Sequence, residues 1–241
     1  GIQWTIYLLP ILMYFGWANH RTVIWPSIME EKWILLVAGL IILLLSLQPT
    51  LDTDALYYHL ALPKQIWLQD QLIGGELRPN GSRPLLFHLP LSQLYALAGE
   101  SGVNLFSAVL SLAFVGSLVE RSNTVRSGSG WIVLLCLFGS YSFWEQSTVT
   151  ANNLLVGFVV WLTFWASLKK PKALVLGPLM GFALAVKYTS IGVVGSIWLL
   201  SDGSWREKWK AAGIALAVVS IWLVRNLLYG DHPLFPYTGW E

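Results

Sequence analysis

The sequence predicts an all-α polytopic membrane protein. Of its 241 residues, 55% are apolar and only 12% are charged, whereas a soluble domain carries about 25% charged residues. Fourteen tryptophans indicate the same class, because indole rings settle at the membrane–water interface. The apolar segments lack the alternating pattern of barrel strands, and a lone strand cannot satisfy its backbone hydrogen bonds in lipid. We therefore expect helices throughout the membrane-embedded part.

A helix needs about 20 mostly apolar residues to cross the hydrocarbon core. On this basis we expect one N-terminal helix followed by seven core helices. The eight candidate spans are approximately 3–18, 33–48, 101–119, 131–145, 151–168, 172–187, 189–201 and 211–229. The predicted domains are an N-terminal helix with a cytoplasmic loop, 1–32, and a transmembrane core, 33–241. Since the chain opens at Gly1 without a methionine, we expect it to be a portion of a longer protein.

The distribution of loop charge predicts the orientation of these helices. Lys and Arg cluster in three short loops, and the loops that alternate with them carry few cations despite their greater total length. The clustered cations are Arg121, Arg126, Lys169, Lys170, Lys172, Arg206, Lys208 and Lys210. Because cytoplasmic loops are enriched in Lys and Arg, we expect these loops inside and the long loop 49–100 outside.

The outer loop 49–100 is predicted to contain two amphipathic helices. The first runs from Asp54 to about Leu72 and has the two-faced pattern of a helix lying on the membrane surface. Its apolar positions are Leu56, Leu60, Pro63 and Trp67, and its polar positions are His59, Lys64, Gln65 and Gln69. Pro63 should kink it. A turn-rich stretch, IGGELRPNGSRP, leads to the second helix, LLFHLPLSQLYALAG, which returns the chain to the bilayer.

Two carboxylates stand at the outer end of the span 33–48, in the stretch LDTDALYYHLALPK. One interpretation is structural: Asp52 or Thr53 caps the following helix, and Asp54 favours its positive N-terminus. The other is chemical, since a carboxylate that is fixed at a helix end is also a positioned general base. The two interpretations are compatible. The pair also offers oxygen ligands to a divalent cation, but two carboxylates alone are a weak indication of a metal.

Neither the cysteine nor the histidines indicate a cofactor. The single Cys136 lies in an apolar segment, which leaves no disulfide and no cysteine metal site. His59, His88 and His232 fall on the predicted outer side, but no pair has the i, i+4 spacing of a metal-binding helix. The net charge of +2 is spread among loops without a basic arm, so no nucleic-acid partner is expected.

Two cations lie at the predicted outer ends of apolar segments, Lys187 in ALAVKYTSIG and Arg225 in IWLVRNLLYG. A cation deep in the bilayer costs about 3 kcal/mol and usually faces the helix bundle, although one near a helix end can snorkel to the interface. The functional interpretation is that the two bind a phosphate. Glu145 lies on the same side, close to Asn152 and Asn153. Capping and interhelical hydrogen bonds are the simpler interpretation of these three residues, and substrate binding by Glu145 is the alternative.

Together these features resemble the GT-C superfamily of membrane glycosyltransferases, which includes the protein O-mannosyltransferases and the bacterial lipid A aminoarabinose transferases. The resemblance rests on the acidic pair in LDTDALYYHLALPKQIW, on the amphipathic helices of the same loop, and on the segments TVTANNLLVGFVVWL, GFALAVKYTS and RNLLYGDHPLFPY. The last segment is similar to the Asn-Pro-hydrophobe-Pro turn of bacterial members. The resemblance covers residues 33–237, and the order and sidedness of the motifs carry it.

This resemblance implies an inverting enzyme that takes a sugar from a polyprenyl-phosphate carrier on the outer face and passes it to an acceptor. Asp52 or Asp54 would be the base, with Asp52 slightly favoured, and no cofactor or metal is expected. The implied substrate-binding residues are Tyr58, His59, Lys64, Glu145, Lys187 and Arg225, the last two at the donor phosphate. The implied partners are the lipid-linked sugar and membrane lipids, in a bacterial cytoplasmic membrane with the large loop outside.

A rival interpretation is a non-catalytic accessory subunit of a larger membrane complex, derived from a GT-C fold. Relatives often carry an aspartate where this chain has Asn152 and Asn153, and they are longer, with a soluble domain that selects the acceptor. The intact aspartate pair and the Lys187–Arg225 set favour the enzyme instead. A transporter has less support, since the sequence shows no inverted repeat and no charged residue at mid-bilayer.

Overall fold

The computed structural model describes residues 32–53, 55–69, 86–126, 128–150, 152–168 and 172–230. Every regular element within these ranges is helical, as the sequence predicts. The helices are α1 (Lys32–Ser46), α2 (Ala61–Gln69), α3 (His88–Val125), α4 (Ser129–Phe138), α5 (Tyr141–Thr148), α6 (Asn152–Ser167), α7 (Ala173–Val186), α8 (Ile191–Leu200) and α9 (Trp205–Gly230). A π-helical turn at Ala55–His59 precedes α2, and a 3-10 turn at Tyr188–Ser190 precedes α8.

Two of the described helices are long and apolar enough to cross a membrane, His88–Val125 and Trp205–Leu228. A third span is counted if Tyr141–Thr148 and Asn152–Ser167 form one broken span. α1, α4, α7 and the segment Tyr188–Leu200 are apolar but shorter, at 10–17 residues. The all-helical class is therefore confirmed, whereas the predicted count of seven core helices plus one is not. The predicted span 3–18 lies outside the described residues.

α3 consists of two helices that meet at a sharp bend. Ala98 has φ −143° and ψ 16°, and Gly99 has φ 60° and ψ −148°, a conformation that glycine adopts readily because it has no Cβ to clash. The part before the bend corresponds to the second predicted loop helix, and the part after it contains the predicted span 101–119. The sequence therefore indicated both parts of α3.

The predicted span 131–145 is divided at Gly139 and Ser140. Gly139 closes α4 by donating its N–H to the carbonyl of Leu135 at 2.9 Å, and Ser140 is extended, with φ −96° and ψ 119°. The indole of Trp144 in α5 donates to the carbonyl of Phe138 at 2.7 Å. This bond ties the start of α5 to the end of α4 and satisfies a carbonyl that the break leaves without a helical donor.

The predicted surface helix Asp54–Leu72 is divided at Leu60. A 2.7 Å bond from Leu60 N to Ala55 O closes the π-helical turn, and α2 begins at the next residue. Pro63 lies in the first turn of α2, where its missing N–H removes no helical hydrogen bond. The predicted helix is therefore interrupted at Leu60, three residues before Pro63. His59, which the pattern assigned to the polar side of the helix, is 3% exposed. The π-helical turn shifts the residues that face the interior.

The chain forms two compact units. The first unit combines Gly1–Asp70 with Pro90–Leu154, and the second combines Gln71–Leu89 with Leu155–Glu241. In the first unit, α1, α3, α4 and α5 share an apolar core of Ile42, Ala108, Val115, Val119, Leu134 and Phe143. In the second unit α7 packs against α9. This packing determines how far along the helix pair the candidate cations Lys187 and Arg225 lie. The predicted domain boundary at 32/33 coincides with the first described residue and stays a prediction.

Candidate functional site

Asp52 caps the π-helical turn that follows α1. Its Oδ1 accepts a 2.7 Å hydrogen bond from Ala55 N, and its carbonyl oxygen accepts one of 3.0 Å from Leu56 N. The residue is half-buried, so the carboxylate is held in one direction and is still reachable. The cap uses one of its two oxygens. The predicted structural role of Asp52 is therefore present, and it is compatible with a role as a base. Asp54, the second predicted base, lies outside the described residues.

The predicted substrate-binding residues of the first unit differ in their burial. Tyr58 and His59 are each 3% exposed, with ring centroids 4.4 Å apart. Lys64 is exposed on α2, and Glu145 is half-buried in α5. The two aromatic rings thus lie together in the interior, whereas Lys64 lies on the surface. Tyr58 and His59 follow Asp52 by six and seven residues along the chain. Their predicted roles in substrate binding stay predictions.

A buried chain of hydrogen bonds holds the segment that carries Asp52. Thr50 N donates to Glu100 Oε1 at 2.6 Å, and Asn104 Nδ2 donates to Thr50 Oγ1 at 2.9 Å. Thr150 Oγ1 in turn donates to Asn104 Oδ1 at 2.6 Å. Thr50, Asn104 and Thr150 are 7%, 1% and 0% exposed. We call these four residues the polar junction. It joins the end of the connection after α1, the second part of α3 and the connection between α5 and α6.

Sequence reasoning missed the polar junction, although one signal was present. Asn104 is an amide in the otherwise apolar stretch GVNLFSAVL, and a buried amide in a membrane helix requires hydrogen-bond partners. The partners are 46 and 54 residues away along the chain, so no local pattern identifies them. The neighbouring Asn153 donates to Gln146 Oε1 at 3.0 Å, which confirms the predicted hydrogen bonding between α5 and α6 at the asparagine pair.

In the second unit, α7 and α9 run parallel with a constant register. Residue i of α7 lies beside residue i+34 of α9 at three successive levels, which are Ala173–Glu207, Gly177–Ala211 and Gly181–Ala215. At the first level Ala173 N donates to Glu207 Oε2 at 3.1 Å. At the other two levels a Cβ on the glycine would be 2.8 Å and 2.9 Å from the alanine carbonyl oxygen. The absence of side chains on these glycines therefore lets the two helices approach closely.

The same register brings Lys187 and Arg225 to the same end of the helix pair, one helical turn apart. Lys187 directly follows the end of α7, and an offset of 34 residues places it beside position 221 of α9, one helical turn before Arg225. Arg225 is 8% exposed, and its Nη1 donates to Asn226 Oδ1 at 3.3 Å. Lys187 is half-buried. A buried guanidinium and a half-buried lysine at one end of a helix pair provide a fork of donors and a point charge, which is a combination suited to phosphate.

The other end of α9 carries a second group of cations. Arg206 lies 19 residues before Arg225, which corresponds to about 28 Å along a helix and is close to the roughly 30 Å thickness of the hydrocarbon core. Arg206 is exposed, and its neighbour Lys208 donates to Leu199 O at 2.7 Å. α9 therefore places Arg206 and Arg225 at opposite ends of one apolar span.

Two further features bear on the chemistry. Within the described ranges, no three His, Cys, Asp or Glu side chains are grouped as a metal site would require.

An open groove of about 310 Å³ in the first unit is lined by Trp33, Ile34, Val37, Ala38, Ile41, Phe138 and Trp144. This lining is apolar and includes none of the predicted site residues, so the groove offers no groups for acid–base chemistry.

Comparison with known protein families gives a match over most of the second half of the chain. The family model of glycosyltransferase family 87 matches residues 84–235, more than half of the chain. No curated protein and no solved structure matches. The matched range contains Glu145, Lys187 and Arg225, and it begins after the segment that carries Asp52 and Asp54.

Proposed function

Because the chain belongs to glycosyltransferase family 87, we propose that it transfers a sugar from a polyprenyl-phosphate donor to an acceptor on the extracytoplasmic face of the membrane. The family, together with the apolar helices, confirms the broader prediction of a membrane glycosyltransferase. Four finer points are proposed here. They are the class of donor, the inversion of configuration, the side of the membrane and the relationship to the GT-C superfamily.

The position of Lys187 and Arg225 at one end of the α7–α9 pair is the observation that supports the donor assignment. Both cations lie at the same end of a parallel pair of apolar helices. A polyprenyl-phosphate sugar has its isoprenoid chain in the hydrocarbon and its phosphate at the interface, so its charge lies at the depth of a helix end. Burial of Arg225 strengthens its attraction to an anion, because the screening by water is reduced there. The pair is therefore suited to hold a lipid-borne phosphate.

The proposed reaction is a single displacement at the anomeric carbon. Asp52 or Asp54 takes the proton of an acceptor hydroxyl as general base. The acceptor oxygen attacks the anomeric carbon from the side opposite the phosphate, and the bond between that carbon and the phosphate oxygen breaks. Its electron pair leaves with the polyprenyl phosphate, so the configuration inverts. Lys187 and Arg225 stabilise the negative charge that develops on the leaving phosphate.

The proposal is tested by measuring glycosyl transfer in membranes that are supplied with radiolabelled polyprenyl-phosphate sugars. We compare the wild type with Arg225→Gln, and we use Arg206→Gln as the matched control, because it removes the same charge from the opposite end of the same helix. We expect transfer by the wild type and the control, and a raised donor KM for Arg225→Gln. Transfer by none of them with any donor, together with co-purification in a larger complex, would overturn the proposal and favour an accessory subunit.

A further inference from the structure

We propose that the polar junction of Thr50, Glu100, Asn104 and Thr150 is a positioning device that sets the direction of the Asp52 carboxylate for catalysis. This inference rests on the proposed function, since it assigns the junction a role in the same reaction. None of the four residues needs to touch the substrate, so we describe them as positioning residues.

The hydrogen bonds of the junction restrain the chain immediately before Asp52. The junction fixes both the backbone and the side chain of Thr50, through its N–H and its hydroxyl. Two residues later, Asp52 is restrained again by the bond from Ala55 N to its Oδ1. The carboxylate therefore lies between two anchors, one buried and one at a helix end. A short segment held at both sides leaves little freedom in the direction of its side chain.

The junction connects distant segments in a way that ordinary buried hydroxyls of this protein do not. Thr163 and Ser147 are each fully buried, and each donates to the carbonyl oxygen one turn earlier in its own helix, at 2.7 and 2.6 Å. Thr150 instead donates to Asn104, 46 residues away. Asn104 uses both ends of its amide, one for each threonine. Removal of one member leaves a buried polar partner unsatisfied, so the remaining members must rearrange.

The bend of α3 brings Glu100 into this arrangement. The helix restarts immediately after Gly99, and Glu100 at that restart accepts the bond from Thr50 N at 2.6 Å. An anion is favoured at the N-terminal end of a helix, so the position suits a carboxylate. The second part of α3 thus supplies two members of the junction on successive turns, Glu100 and Asn104. Both bond to Thr50, so the position of this helix after the bend determines the position of the segment that carries Asp52.

The test compares Thr150→Val with Thr163→Val in the purified, reconstituted full chain. Both substitutions replace a fully buried threonine with its closest apolar isostere, but only the first breaks the junction. Since a misplaced catalytic group costs up to about 100-fold in rate, we expect kcat of Thr150→Val to fall about 10- to 100-fold. The donor KM should stay within about twofold of the wild type, because no member of the junction is a proposed phosphate ligand. Thr150→Ser retains the hydroxyl and should restore kcat.

A second measurement reports the position of the segment without depending on activity. A nitroxide label on Leu51→Cys, in a Cys136→Ala background, lies beside Asp52 at a residue that is 89% exposed. We expect the label to become more mobile in Thr150→Val and in Asn104→Leu, and to be unchanged in Thr163→Val. Thr150→Val must accumulate to the wild-type level for this comparison; if it does not, Asn104→Leu, which also breaks the junction, takes its place.

The outcomes separate the junction from the proposed function. Equal kcat and equal label mobility in Thr150→Val and Thr163→Val would overturn the positioning role. A raised donor KM with unchanged kcat would do the same, since it would indicate a general loss of structure near the donor. An inactive wild type would overturn the proposed function and the catalytic part of this inference, and the label would still show whether the junction holds the segment of Asp52.

Discussion

Gly181 of α7 lies directly against Val218 of α9, so that a Cβ built on the glycine would be 2.7 Å from the Cβ of the valine. Such a separation is far inside van der Waals contact, and the backbone of Ala215 lies on the same side at 2.9 to 3.0 Å. The position therefore excludes a side chain. Since the same register brings Lys187 to within one helical turn of the level of Arg225, this contact links helix packing to the proposed phosphate site.

The first prediction follows from that contact. Gly181→Ala forces α7 and α9 apart, and overpacking of this kind costs about 1–3 kcal/mol. We expect a lower unfolding temperature in detergent and a raised donor KM. The control is Gly213→Ala in α9, where a Cβ would meet nothing within 4 Å and where alanine is the better helix former by about 1 kcal/mol. Equal stability of the two variants would contradict the close packing of the helices.

The second prediction separates the two roles of Asp52. Asparagine caps a helix about as well as aspartate, because its amide oxygen accepts the same hydrogen bond. Asp52→Asn should therefore unfold at the wild-type temperature, yet lose transfer by at least about 100-fold because a general base is gone. Asp52→Ala should lose the cap as well, at about 1 kcal/mol of stability. Full activity of Asp52→Asn would exclude this residue as the base and leave Asp54 for the same test with Asp54→Asn.

The third prediction concerns metal ions. In the proposed mechanism the side chains of Lys187 and Arg225 supply the positive charge at the leaving phosphate, which is the work that Mg²⁺ does in many enzymes of phosphate chemistry. We therefore expect transfer to be unchanged by an excess of a divalent-metal chelator. A loss of transfer that is restored by added Mg²⁺ or Mn²⁺ would contradict metal-independent transfer. Asp52 and Asp54 would then be the candidate oxygen ligands of the metal.

Composition and local pattern were sufficient for the helical class and for several ends of helices. The apolar content predicted a membrane protein, and the break before the span 101–119 was visible as the glycine of the sequence YALAG. The pairing of Lys187 with Arg225 was also proposed from their positions at segment ends. These features depend on residues that are near one another in the chain, or on the overall balance of apolar and charged residues.

Contacts between distant segments were not visible in the sequence. The junction of Asn104 with Thr50 and Thr150 spans tens of residues, and neither threonine differs by type from many surface threonines. The burial of His59 depends on a π-helical turn, and a single extra residue in a turn changes which positions face inward. The break inside the predicted span 131–145 was not visible either, because Gly139 and Ser140 divide a stretch whose hydropathy alone suggested one helix.

The most direct test of the central claim is a double-mutant cycle of Lys187→Gln and Arg225→Gln, measured as kcat/KM for a polyprenyl-phosphate sugar. If both cations bind one phosphate, each single variant loses transfer, and the double variant loses clearly less than the product of the two single losses. The interaction energy between two residues of one network is about 0.5–3 kcal/mol. A difference of this size is measurable from the kcat/KM values of the four proteins. Single losses that multiply without coupling, or no loss in either variant, would contradict a shared phosphate site at the end of α7 and α9.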